Sequence, residues 1–145
     1  MTFTPTRYSL VCCADEHRFD DAGWSLIDPQ CEYPSLVRAK YECKQYTPRE
    51  ELDGLYRYAN WLPIQRTLSG SGIPVTYKSE KLAAELGLDN LYITFSGWWP
   101  KIGAKMATCT FKETEAYSVC GRLSKSNKRV LVVASAGNTA RAFAK

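Results

Sequence analysis

Apolar and polar positions follow one pattern in the first third of the chain and another in the rest. "RYSLVC" alternates as a strand does, "DDAG" and "DPQ" carry turn signals, and "SLVRAKYE" alternates again. The pattern predicts a small antiparallel unit of two or three strands over residues 1–45. From residue 46 onward the periods change. Near "TPREEL", Thr47 is placed to cap a helix with Pro48 at its first position and carboxylates in its first turn. In "IPVTYKSEKLAAELGL", Ser79 is the predicted N-cap, Leu82, Ala83 and Leu86 share a face, and Gly87 ends the helix.

Further on, "NLYITFS" is a short β-rich run, and "TFKETEAYSVCGRLSKS" places Ala116, Val119, Cys120 and Leu123 at helical spacing. "RVLVVAS" is a continuous β-branched run, the mark of a strand buried on both faces. A turn and a helix start follow it. Strand, helix, strand and helix alternate from residue 91, which predicts an α/β fold with a parallel sheet and right-handed crossovers. There is no internal repeat.

Length and composition narrow the picture without redirecting it. A chain of 145 residues, 45% hydrophobic and 23% charged, is one domain's worth of core. Its net charge of +4 is spread rather than clustered, so Arg7, Tyr8, Arg38 and Tyr41 make a poor nucleic-acid surface. No apolar run approaches the roughly twenty residues of a membrane helix, and "MTFTPTRYSLVCC" lacks the pattern of a secretory signal. The expectation is a soluble cytoplasmic protein whose six cysteines are free thiols.

Two stretches carry candidate chemistry. In parallel α/β sheets ligands bind at the carboxyl ends of strands, where "ASAGNTA" is predicted to lie. Ala136 and Gly137 allow close backbone approach, Ser135 and Thr139 offer hydroxyls, and Asn138 offers an amide. Free N–H groups at a helix start suit a carboxylate or phosphate. A plain strand-to-helix turn capped by Asn138 or Thr139 is the competing reading. In "TCTFKETEA", Lys112 begins an amphipathic helix, where a cation opposes the helix dipole. A deprotonated or covalently engaged lysine tolerates that position.

The "TFKE" lysine followed by "ASAGNTARAF" resembles the pyridoxal-phosphate site of fold-type II enzymes, the class of threonine synthase. "WLPIQ", "PVTYKSEKLAAELGLDNLYITFSGWWP" and "TCTFKETEA" resemble the cysteate synthase family within that class, over roughly residues 46–145. The resemblance implies a pyridoxal 5'-phosphate cofactor held covalently by Lys112, which would later take the substrate's α-proton. Asn138 would bond the cofactor's phenolic oxygen, and Ser135, Ala136, Gly137 and Thr139 would grip the substrate carboxylate. The implied reaction is β-replacement on O-phosphoserine, an amino-acid substrate, with sulfite displacing phosphate to give cysteate. Lys101 and Lys105 are candidate cations for these anions, a solvated loop being the bland alternative. Trp98 and Trp99 would wall the pocket or simply pack.

Two departures from the family pattern matter. Relatives often begin with two CxxC pairs, a zinc signature when complete. Here "CCADEH" and "PQCEY" keep Cys12 or Cys13 and Cys31, with His17 as a replacement ligand at best, so the expectation is a metal-free remnant. The glycine-rich loop for the cofactor phosphate has no counterpart, since "GSG" at residues 70–72 reads as a linker. Residues 46–145 are therefore expected to form the N-terminal part of a catalytic domain, incomplete without a second polypeptide, in a homo- or hetero-oligomer. The alternatives are an inactive truncated paralogue serving as a regulatory partner, and a threonine synthase-like enzyme.

Overall fold

The computed structural model describes residues 3–22, 25–123 and 130–145. Its first sheet has three antiparallel strands, β1 (Tyr8–Cys12), β2 (Arg18–Phe19) and β3 (Val37–Tyr41), in the order β2-β1-β3. Leu10 faces Phe19 on one side and Ala39 on the other. The β1–β2 turn closes with the Cys12 N–H donating to the His17 carbonyl at 2.9 Å, while Glu16 adopts φ +61°.

The helix expected from Thr47 does not form there. The Asn60 side-chain amide instead donates to the Thr47 carbonyl and hydroxyl, at 2.9 and 3.1 Å, and the helical turns begin later as a 3-10 segment, Gly54–Trp61. Gly54 fixes that start. Its φ is +56°, and a Cβ there would lie 2.0 Å from the Ser71 carbonyl oxygen. Tyr56, Ala59 and Ile64 form the buried core, covered by Phe3, Leu52, Leu62, Leu68 and Tyr117.

An antiparallel hairpin follows, β4 (Val75–Lys78) and β5 (Tyr92–Phe95), with the Thr76 and Thr94 hydroxyls 2.9 Å apart across the pair. Between its strands lies α1 (Glu80–Leu86). Ser79 occupies its N-cap without a side-chain bond, and Gly87 ends it in the left-handed conformation. Of the expected apolar face only Ala83 is buried; Leu82 and Leu86 remain exposed. The short β6 (Trp98–Trp99) and β7 (Ala104–Lys105) pair antiparallel. Two helices complete the description, α2 (Lys112–Arg122) and α3 (Asn138–Phe143), packed against each other. The α2 start and its buried Ala116 match the helical spacing in the sequence.

Every strand pair among the described residues is antiparallel, so the chain is mixed α and β and the parallel sheet expected from residue 91 is absent there. The run "VLVVAS" after Arg129 pairs with no described strand; Val130 and Val132 stay 87% and 84% exposed. A β-branched run is buried on both faces only where strands flank both its edges and helices cover both its faces. Without those neighbours its composition does not make it a strand. Arg129 and the "SKS" before it lie outside the described residues.

Candidate functional site

Lys112 is the first residue of α2, and its backbone N–H donates to the Thr110 hydroxyl at 3.3 Å. Its amine donates to Glu115 Oε2 at 2.7 Å and lies 5.3 Å from the centre of the Phe111 ring. The electrostatic difficulty of a cation at a helix start is thus answered by the carboxylates of Glu113 and Glu115 in the same turn. The amine remains partly open to solvent.

Beside it, Glu113 is fully buried. Its carboxylate accepts the Thr108 backbone N–H at 2.7 Å and the Lys145 amine at 2.8 Å. Burial resists ionisation, yet Lys145 and Thr108 outweigh it and hold the carboxyl below its ordinary range. Nothing in the sequence reading singled out Glu113. The available signal was a carboxylate on the side of α2 that carries Ala116, where a buried charge requires a partner.

The turn before α3 is open. Ser135, Ala136, Gly137 and Asn138 are exposed and Thr139 is half-buried. The Gly137 N–H donates to Ser135 Oγ at 3.3 Å, and a Cβ on Gly137 would meet nothing within 4 Å. Packing of α2 on α3 therefore brings the helix that Lys112 begins against the helix that Asn138 begins. A cavity bordered by both helices is lined by Leu68, Ala116, Tyr117, Cys120 and Phe143 among others, and neither Lys112 nor the turn lines it. The Lys112 amine and the turn of small residues are thus each open to solvent.

Lys101 and Lys105 are both exposed and sit elsewhere. Lys105 lines a groove with Arg57, Ser71, Trp98 and Lys145, and Lys101 lies in the 3-10 turn Pro100–Ile102. Trp99 packs edge-on against Tyr77 and Phe95, with ring centres 6.3 and 6.2 Å away.

The first sheet holds a second group of chemically capable side chains. The Cys12 and Cys31 sulfurs and a carboxylate oxygen of Asp15 all lie within 4.8 Å of one another. His17 does not stand in for a ligand in that group. Its Nδ1 lies 2.7 Å from Asp28 Oδ2, and Asp28 is buried. The backbone amide of Tyr33 draws the Cys31 thiol down, but burial, the Cys12 thiol and the Asp15 charge together push it above its ordinary value. Asp15 carries no CxxC signature, which is why the spacing alone left the group incomplete.

No family model and no solved structure matches the chain. Among curated proteins it is similar to the cysteate synthase of Methanocella paludicola, with 46% identity over 138 residues, covering 94% of this chain and 31% of that protein. It is 42% identical over 139 residues to the cysteate synthase of Methanospirillum hungatei, covering 96% of this chain and 32% of the relative. With the cysteate synthase of Methanosarcina acetivorans it shares 51% identity over 110 residues, 76% of this chain and 26% of the other. The chain thus spans roughly a quarter to a third of the length of the curated relatives it matches.

Proposed function

We infer that the chain is a portion of a cysteate synthase-like, pyridoxal-phosphate-dependent enzyme of the fold-type II class. Its similarity to several cysteate synthases, at 42–51% identity over most of its length, carries this reading. The substrate would be O-phosphoserine, the incoming nucleophile sulfite, and the products cysteate and phosphate. Bound pyridoxal phosphate supplies an electron sink that lets an α-proton leave and a β-substituent exchange.

The chain's own residues then take distinct tasks. Lys112 anchors the cofactor through its amine and moves the α-proton at that same nitrogen. Glu115, 2.7 Å away, holds the amine in place until the cofactor arrives. The turn Ser135–Thr139 receives the substrate carboxylate on its hydroxyls and N–H groups, and the Asn138 amide donates to the cofactor's phenolic oxygen. Lys101 and Lys105 provide cations for the departing phosphate and the arriving sulfite. The remainder of the site, including the phosphate cradle, comes from chain length that the relatives possess in addition, on the same or a second polypeptide, in a cytoplasmic oligomer.

Borohydride reduction in the presence of pyridoxal phosphate tests this, followed by peptide mass mapping, on the chain alone and together with the remaining polypeptide. Selective label on Lys112 in the assembled protein, lost in Lys112→Ala, is the expected result. Label spread over several exposed lysines, unchanged by that substitution, would refute the assignment.

A further inference from the structure

We propose that Cys12, Asp15 and Cys31 form a metal site for one thiophilic divalent cation, zinc being the natural occupant, with water in the fourth position. The site is distinct from the candidate catalytic residues and does not rest on the function proposed for them.

Three features carry it. The first is distance. Two thiolates about 2.3 Å from a tetrahedral zinc stand about 3.8 Å apart. Here the three donor atoms already lie within 4.8 Å of one another, so closure on an ion takes shifts of about 1 Å or less. The second is the donor set. Two sulfurs and one carboxylate oxygen suit zinc, whereas magnesium and calcium take oxygen alone.

The third is the support behind the donors. The Ala14 N–H points at Cys12 Sγ, 3.4 Å away. The Cys12 sulfur is thus held in place from its own turn. The His17 N–H donates to Asp15 Oδ1 at 3.0 Å and orients that carboxylate. The two loops are held together independently of any ion. His17 Nδ1 meets Asp28 Oδ2, the Gln30 N–H donates to Asp28 Oδ1 at 2.8 Å, and the Cys31 N–H donates to the Asp28 carbonyl. The left-handed Glu16 turns the chain between Asp15 and His17 so that one faces the sulfurs and the other faces Asp28. Binding displaces two thiol protons to solvent and leaves the oxidation states of sulfur and metal unchanged. The ion's role is to staple the β1–β2 turn to the 28–33 loop, in a small sheet with little core of its own.

Titration of the full chain with Co(II) under reducing conditions tests the proposal. One cobalt per chain is expected, with a thiolate-to-cobalt charge-transfer absorption that zinc bleaches and a melting temperature that rises on zinc addition and falls with a chelator. Cys31→Ser and Asp15→Asn should each weaken binding by at least about tenfold, with Cys31→Ser reducing the charge-transfer intensity. Cys43→Ser and Cys109→Ser, which touch none of the donors, should leave both unchanged. Because Cys12 is fully buried, Cys12→Ser risks unfolding, and the test relies on the other two, each checked for native circular dichroism. No charge-transfer absorption in the folded, reduced protein would overturn the site. So would binding that Cys31→Ser leaves intact.

Discussion

Glu113 keeps its charge in a place water does not reach, because the Thr108 N–H and the Lys145 amine both direct donors at it. Glu113→Gln removes the charge, and the loss should be about 1–3 kcal/mol in urea unfolding. The same group sets a pH dependence. Its folded-state value is lowered from 4.5, so its stabilisation is complete above that value and is lost as pH falls below it. An acid titration followed by circular dichroism should show this step weakened in Glu113→Gln. Tyr56 behaves in the opposite sense. Burial pushes its hydroxyl up to about 12, and that hydroxyl donates to the Tyr117 carbonyl at 3.0 Å. Its contribution is present below the ordinary value of 10.0 and fades as pH rises toward 12. Tyr56→Phe should cost about 1 kcal/mol at neutral pH and remove one late-titrating part of the tyrosinate absorbance, the Tyr8 part remaining. At this scale the sequence exposed Lys112 and hid Glu113. A lysine at a helix start stands out as an anomaly in one dimension, whereas a buried carboxylate is recognised only by partners 5 and 32 residues away.

Among the elements, two glycines in left-handed conformations separate local from tertiary constraint. A Cβ on Gly87 would touch nothing within 4 Å, so Gly87→Ala should cost only the backbone penalty, about 1 kcal/mol. Gly54→Ala adds a collision with the Ser71 carbonyl to the same penalty, and should cost distinctly more in the same chemical-denaturation series. The contrast explains what could be read in advance. The end of α1 at Gly87 follows from nearby residues, and so do β1, β3, β5 and the start of α2. The absence of a helix at Thr47 follows from Asn60, thirteen residues on, and from a contact between Gly54 and Ser71 that no local pattern encodes. The Val130–Val133 run was misleading for a related reason. Its composition states a preference for strand, but pairing is a property of two segments. The chemically capable side chains divide the same way: that Lys112 begins a helix and that a turn precedes Asn138 was legible as local structure, while the Cys12, Asp15 and Cys31 grouping depends on a loop brought back by Asp28 and His17.

Across the whole molecule, α2 ties the distant parts together. At its C-terminal end Arg122 donates to Asp21, 101 residues earlier, and Asp21 also accepts from the Tyr8 hydroxyl at 2.7 Å and the Ser25 N–H at 3.1 Å. Burial opposes the Asp21 charge, yet these donors hold its carboxyl below the ordinary range. Arg122→Ala would leave a largely buried carboxylate without its cation and should cost about 3 kcal/mol, read as a lowered denaturation midpoint. Next to Arg122 at that same end, the Gly121 carbonyl accepts from both the Gln65 and the Arg66 N–H. With one end of α2 holding Lys145 and the other holding Asp21, the helix cannot leave its place without the sheet and the core leaving theirs. The tempo of the molecule should follow: in hydrogen–deuterium exchange, the amides of α2 should open only with the last cooperative event, while those of the lightly packed α1 exchange well before.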